Sequence, residues 1–200
     1  MSSELKNIKE KILKKVIEIT GEYLCIELKE KLFNGLNDSI SLNKDLSQVI
    51  PKFLIYLLTD EKQCNKNHPQ CGIVSKNFEN ELKGEIINWS KLRKFSWEKF
   101  NQYDGDEEAL KDSYLIEAAA EAAYYAECIS EINHMGNLDN ICIIELTNAT
   151  ISSVIAAMSA TSSAVSLSFN FVIEKYNIDS VSKEKSYILM AEKLLELLRE

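Results

Sequence analysis

Apolar side chains recur at every third or fourth position through much of the chain, which is the spacing of one face of an α-helix. Near the N-terminus, lysine and glutamate fill the intervening positions, so the pattern predicts an amphipathic first helix. The pattern weakens at Thr20 and Gly21 and then resumes, and Asn34 with Gly35 predicts the end of this second stretch, because glycine tolerates a left-handed cap. The apolar face of the first helix is Leu5, Ile8, Ile12, Leu13 and Val16.

A third helix is predicted after a loop rich in Asn and Ser, with Asp45 or Ser47 as its N-cap and Pro51 in its first turn. Its apolar face is Val49, Ile50, Phe53, Leu54, Leu57 and Leu58. A fourth stripe of apolar residues, spaced by four, predicts a helix that starts near Ser75. The inward residues of this helix are expected to be Val74, Phe78, Leu82 and Ile86.

In the second half, Ser90 and Ser96 each precede helix-compatible residues and predict two short helices among clustered aromatic side chains. High helix propensity then predicts one long helix over 107–132, which Gly136 ends. A last helix follows a cap within 179–182. Its inward face is expected to be Ile188, Ala191, Leu194, Leu195 and Leu198.

Two stretches of small residues are expected to form the centre of the fold. Residues 115–127 read LIEAAAEAAYYAE, and residues 146–173 contain Ala, Ser and Thr but no charged side chain. Alanine allows helix axes to approach closely, and a Ser or Thr hydroxyl inside a helix can bond to the carbonyl one turn back. These stretches therefore predict a packed helical hairpin. A β interpretation of 147–171 remains as the alternative, because Ser, Thr, Val and Ile also suit strands.

Composition supports a helical fold. Six glycines and two prolines are too few for the many tight turns of a sandwich or barrel, and 46% hydrophobic residues suffice for one core. The sequence thus predicts an all-α, single-domain bundle of about seven to nine helices around the small-residue hairpin. N-terminal helices within 1–44 are expected to pack on a core formed by 45–200.

Charge and cysteine content narrow the choice of partners and location. A net charge of −8 argues against nucleic-acid binding, which depends on Lys and Arg, and favours a basic partner. The first residues lack the continuous apolar core of a secretory signal, and the uncharged stretch is too rich in Ser and Thr for a membrane span. Five cysteines without a signal suggest reduced thiols. We therefore expect a cytoplasmic protein that binds neither membrane nor nucleic acid.

Few residues suggest catalysis or metal binding. Cys64, His68 and Cys71 form part of a zinc-like spacing without a fourth ligand nearby, so we predict no metal site. Glu131 and His134 match one Glu-x-x-His element of a di-iron bundle, but the second copy is missing. The chain has no phosphate-binding glycine loop and no nucleophile elbow, and two histidines offer little to a catalytic triad.

The order of these features resembles a known family. A Pro-containing apolar helix leads to the segment FENELKGEIINWSKL at 78–92, and an acidic turn precedes EAAAEAAYYAE at 117–127. A helical hairpin rich in Ser and Ala follows, and AEKLLELLRE at 191–200 closes the chain. Over about residues 45–200 this succession resembles the alanine-rich, all-α immunity proteins of bacterial polymorphic toxin systems, in the fifth immunity family.

The resemblance implies a cytoplasmic inhibitor that binds a cognate toxin domain, with no catalytic residues and no cofactor. An acidic surface would steer such a protein toward a basic partner, and aromatic residues are favoured at the centres of interfaces. The candidate partner-binding residues are therefore Trp89, Trp97, Tyr103, Asp104, Asp106, Glu107 and Glu108.

Two other classes of function remain open from the sequence. One is a helical metal-binding or enzymatic domain, which would use the loop of Cys64, His68 and Cys71 or an inward pair formed by Glu117 and Glu121. The other is a helical scaffold that dimerises through its small-residue helices.

Overall fold

The computed structural model describes residues 3–20, 26–59, 69–101, 107–135, 143–158, 160 and 181–200. All regular elements in these ranges are helical, so the predicted all-α class is confirmed for the described chain. The helices are α1 (Ser3–Thr20), α2 (Ile26–Ser41), α3 (Val49–Thr59), α4 (Pro69–Leu82), α5 (Trp89–Asn101), α6 (Glu107–Met135), α7 (143–158) and α8 (Val181–Arg199), with a short 3-10 helix at Leu46–Gln48.

Helix α6 lies at the centre, and its neighbours include α3, α4 and α5. Six of its alanines are almost entirely excluded from solvent: Ala118, Ala119, Ala120, Ala122, Ala123 and Ala126. Methyl side chains keep the interhelical distance short, so the larger core residues are supplied mainly by the surrounding helices. The described small-residue surface of α6 is thus buried inside the fold.

Helix α7 satisfies its buried hydroxyl groups within the helix. Thr150 Oγ1 donates to the Leu146 carbonyl at 2.7 Å, and Ser153 Oγ donates to the Thr150 carbonyl at 2.9 Å. Both side chains are fully buried, so these bonds avoid the cost of about 1–3 kcal/mol for each unpaired hydroxyl. The predicted strand alternative is wrong for 147–158, which are helical, and the remainder of that stretch, apart from residue 160, lies outside the described residues.

The third predicted helix is confirmed in detail. All six residues of its predicted apolar face are buried in α3. Asp45 caps the preceding 3-10 turn, where its Oδ1 accepts a hydrogen bond from the Ser47 amide at 3.0 Å. Pro51 lies in the first turn of α3, where a helix does not need the amide hydrogen that proline lacks.

Three predicted boundaries are wrong. Helix α2 continues past Asn34 and Gly35 to Ser41. Residues 89–101 form one helix rather than two short ones. Helix α4 begins at Pro69 and ends at Leu82, so Ile86 lies in the following loop and is 98% exposed instead of inward.

Gly35 has a packing role that explains why it does not end α2. A Cβ atom at this position would lie 2.7 Å from Cδ1 of Leu195 in α8. The missing side chain lets α2 and α8 approach each other closely, and both Leu32 and Leu36 are buried beside it. Glycine is therefore kept inside this helix by a tertiary contact.

Side chains from the first half of the chain form hydrogen bonds and an ion pair with the C-terminal end of α8. Ser39 Oγ lies 2.5 Å from the Leu198 carbonyl oxygen and 2.8 Å from that of Gly35. Lys44 Nζ donates to the Arg199 carbonyl, and Lys52 Nζ pairs with the Glu200 carboxylate at 2.5 Å. The last carbonyls of a helix have no partner within the helix, so these contacts satisfy them and place cations at its negative end.

The same substitution at two glycines tests the contact between α2 and α8. Gly72 lies inside α4, and a Cβ atom added there would meet nothing within 4 Å, so Gly72→Ala should raise the free energy of unfolding by about 0.5–1 kcal/mol through helix propensity. Gly35→Ala should instead lower it by about 1 kcal/mol, because the new methyl group displaces Leu195. Urea unfolding measures both values, and equal stabilisation by the two variants would contradict the packing role.

A second pair of variants tests the hydrogen bonding at the C-terminal end of α8. Ser39→Ala removes the donor to a buried carbonyl and should lower the free energy of unfolding by about 1–2 kcal/mol. Ser41→Ala removes a bond from an exposed hydroxyl to the Asp38 carbonyl and should change it by less than about 0.5 kcal/mol. Thermal or urea unfolding gives the comparison, and a Ser39→Ala variant as stable as Ser41→Ala would count against it.

Candidate partner-binding groove

The loop between α4 and α5 is fixed at both ends by helix caps. Helix α4 ends in paired hydrogen bonds from the Gly84 amide to the Glu81 carbonyl at 2.8 Å and from the Glu85 amide to the Asn80 carbonyl at 3.0 Å. Gly84 has φ of 90°, which glycine adopts without strain. Asn88 then caps α5, where its Oδ1 accepts from the Lys91 amide at 3.0 Å. Residues 85–87 are thus held between two fixed points.

Trp89 anchors this loop to the core. Its ring lies 4.6 Å from that of Phe78, centroid to centroid, and the Phe78 ring lies 6.4 Å from that of Tyr125 on α6. Its Nε1 donates to Glu81 Oε1 at 3.0 Å. Trp89 is only 2% exposed, so it is a core residue and does not offer the exposed aromatic surface that the sequence predicted.

Arg93 joins α5 to the acidic side chains of α6. Its Nη1 donates to Glu127 Oε2 at 2.9 Å, and its guanidinium carbon lies 3.9 Å from the centre of the Tyr124 ring. A guanidinium that pairs with a carboxylate and also stacks on an aromatic ring combines two favourable contacts. This arrangement shows that the α6 surface binds an arginine side chain of its own chain.

Burial and neighbouring carboxylates shift the pKa values of two groups on α6. Burial raises the pKa of Glu121, the neighbouring Glu117 raises it further, and Arg93 opposes the shift. Burial also raises the pKa of the Cys128 thiol to about 11, with further contributions from Glu131 and from Glu145 on α7, while Tyr124 and Arg93 act in the opposite direction. The local environment therefore disfavours additional negative charge.

A groove of about 370 Å³ lies between α6 and the loop that joins α4 to α5. Residues 86–90 form one wall, and Glu127, Ser130 and Glu131 form the other. Ile86 is almost completely exposed at the rim, and Glu131 is exposed as well. The groove is therefore lined by an apolar side chain and by carboxylates, and the loop that carries the apolar side chain is fixed at both ends.

Five of the seven predicted binding residues have side chains outside the part of the chain that the structure describes. Trp97 is half-buried on α5 and has contacts of its own. Glu107 and Glu108 lie in the first turn of α6, but their side chains are outside the described part. Tyr103, Asp104 and Asp106 also lie outside the described residues.

The residues of the metal or enzyme alternative are not assembled into a site in the described chain. Cys71 is fully buried near the start of α4, its Sγ donates to the Leu115 carbonyl at 3.4 Å, and burial raises the pKa of its thiol to about 12. A zinc ligand requires the thiolate, which this environment disfavours. Cys64 and His68 lie outside the described residues, and no group of three potential metal ligands occurs within them. Glu117 and Glu121 are half-buried, and neither lines the groove.

Some features of the groove are visible in the sequence, but the sequence does not predict the groove itself. The segment 78–92 carries part of the family resemblance, and the i, i+4 pair of Glu127 with Glu131 is visible in the printed residues. Sequence reasoning misses Ile86 and Arg93, because the apolar spacing places the first inside a helix and the second has no distinguishing local pattern.

Comparison of the chain with protein-family models, with curated proteins and with solved structures finds no match. Among the described helices, none combines the length and the apolar character needed to cross a membrane.

The raised pKa of Glu121 predicts a pH-dependent effect on stability. A carboxyl group whose pKa is higher in the folded chain than in the unfolded chain favours folding while it is protonated, and this contribution is lost as pH rises through the unfolded value of about 4.3 and above. Glu121→Gln should therefore raise the Tm at pH 7 by about 2 °C and leave it unchanged near pH 3.5. Calorimetry at both pH values measures the difference.

Glu192→Gln provides the control, because Glu192 is exposed on α8 and the substitution removes the same charge. We expect its Tm to differ from that of the original chain by less than about 1 °C at either pH. A Glu121→Gln variant that is less stable than the original chain at pH 7 would show that attraction to Arg93 outweighs burial.

Proposed function

We propose that this chain is an immunity protein, a non-catalytic inhibitor that binds a cognate bacterial toxin domain in the cytoplasm. The observation that carries the proposal is the groove beside α6, which is lined by the exposed Ile86 together with Glu127 and Glu131. An inhibitor that acts by binding requires such a fixed surface of mixed apolar and charged character.

The charge of the chain supports a basic partner. The net charge is −8, and long-range attraction between opposite charges speeds association and helps to exclude partners of the wrong charge. The resemblance of residues 78–92 and 117–127 to immunity proteins indicates a toxin domain as the partner. These two segments contain all the residues that line the groove except Ser130 and Glu131.

Packing around α6 supports binding without a large rearrangement. The Trp89 ring packs on Phe78 of α4, the Arg93 guanidinium joins α5 to Glu127 of α6, and six alanines of α6 are buried. A surface that is already ordered before binding loses less conformational entropy when the complex forms.

Co-expression with the cognate toxin domain tests the function. The toxin domain encoded beside this gene should arrest growth when expressed alone, and this chain expressed with it should restore growth. The purified pair should also elute together on gel filtration as a complex of defined stoichiometry. Persistent growth arrest, with separate elution of the two proteins, would refute the proposal.

A control distinguishes neutralisation by binding from a general effect of expression. The Gly72→Ala variant alters a position near the start of α4, whereas the contacts to the groove loop come from the other end of that helix, so it should protect cells as well as the original chain does. An equally expressed helical protein of similar negative charge should not protect them. Protection by that unrelated protein would show that charge alone is sufficient and would remove the argument for a specific inhibitor.

A further inference from the structure

The two carboxylates of the groove differ in their pairing. Glu127 Oε2 accepts a hydrogen bond from Arg93 at 2.9 Å, and its side chain is largely covered. Glu131, one helical turn further along α6, is exposed and makes no ion pair within the part of the chain that the structure describes. The groove therefore contains one carboxylate that is already neutralised and one that is open to an incoming cation.

The electrostatic surroundings of the groove also favour a cation. Besides burial, the carboxylates of Glu117, Glu131 and Glu145 raise the pKa of Glu121 or of Cys128, and Arg93 acts in the opposite direction. The two ionisable residues that line the groove itself, Glu127 and Glu131, are both carboxylates. An additional positive charge would therefore be stabilised here, and an additional negative charge would be repelled.

The exposed Ile86 side chain favours an occupant that is partly apolar. Ile86 is 98% exposed, although the loop that carries it is fixed by the cap of α4 on one side and by Asn88 on the other. An aliphatic side chain held in water at a fixed position gains free energy when a partner covers it, at little cost in conformational entropy. The occupant should thus present an aliphatic group next to its positive charge.

Arg93 indicates which cation suits the groove. Its guanidinium lies between a carboxylate and the face of Tyr124, so this part of α6 already accommodates a planar cation. A guanidinium can make two parallel hydrogen bonds to one carboxylate, whereas an ammonium group acts as a point charge. The volume of about 370 Å³ lies within the range of about 300–1,000 Å³ that is usual for ligand pockets.

We propose that the groove receives an arginine side chain of the toxin domain, with its guanidinium on Glu131 and an adjacent aliphatic side chain of the toxin on Ile86. This inference rests on the proposed function, because it specifies what the inhibitor's partner presents to the groove. Glu127, which Arg93 already binds, is the occupied carboxylate of the groove, and Glu131 is the carboxylate available to the partner.

A peptide titration tests the groove without the toxin. The full chain, labelled with ¹³C at isoleucine δ1 methyl groups, is titrated with an acetylated and amidated peptide of sequence Gly-Leu-Arg-Leu-Gly. The Ile86 methyl signal, assigned by its loss in Ile86→Ser, should show a saturable shift at peptide concentrations up to about 10 mM. The same peptide with citrulline in place of arginine should bind at least about fivefold more weakly, because citrulline keeps the shape but not the charge.

Matched variants locate the contact. Glu131→Gln should weaken binding of the arginine peptide at least about fivefold and should remove most of the difference between the arginine and citrulline peptides. Glu192→Gln removes the same charge from α8, which packs against α2 and α3, and should leave the affinity within about twofold. No saturable shift of Ile86, equal binding of the two peptides, or equal effects of the two variants would each overturn the inference.

Different results would refute the inference about the groove and the proposed function. If the original chain protects cells from the toxin and both Ile86→Ser and Glu131→Lys protect equally well, the toxin binds elsewhere, so the groove inference is refuted while the function stands. If the original chain does not protect cells, the proposed function is refuted, and the inference about a toxin arginine is refuted with it. Loss of protection in both variants, with unchanged Tm, supports both proposals.

Discussion

Because the side chains of α6 that face its neighbours are mostly methyl groups, the surrounding helices approach its backbone closely. This proximity brings Arg93 of α5 within hydrogen-bond distance of Glu127 and places its guanidinium over Tyr124. It also allows Phe78, whose ring packs on that of Trp89, to lie beside Tyr125. A larger residue in place of any of the buried alanines would separate the helices and alter these polar and aromatic contacts together. The position of the groove therefore depends on the smallest side chains of the core.

Polar groups inside the fold are satisfied mainly by local or terminal contacts. Thr150 and Ser153 bond to carbonyls of their own helix, whereas Ser39 reaches a carbonyl at the end of α8. The first arrangement lets α7 contain hydroxyl groups at its buried face, and the second joins α2 to the C-terminal helix. At the end of α8, hydrogen bonding thus contributes to tertiary structure because the last carbonyls of a helix need donors from elsewhere.

The sequence predicts helix faces better than helix ends. The apolar face of α3 is correct at every position because periodicity reports directly which side of a helix is buried. The local pattern places Gly35 at a helix end, but its contact with Leu195 comes from a helix far away in the chain. Ile86 continues the spacing of α4, yet Gly84 adopts a left-handed conformation and ends that helix first. Local patterns therefore do not distinguish a glycine that caps a helix from one that packs against a neighbour.

The same limit explains why the candidate groove is only partly visible in the sequence. Its two walls lie about 40 residues apart, so their approach follows from how α5 packs on α6 and not from any local motif. Trp89 is expected at a surface because aromatic residues are common in interfaces, but its indole is used to fix the loop to the core. Burial of that ring holds the adjacent loop in place and leaves Ile86 as the exposed apolar residue. A buried tryptophan thus supports recognition indirectly, since a rigid loop keeps Ile86 and Glu131 in one arrangement before any partner arrives.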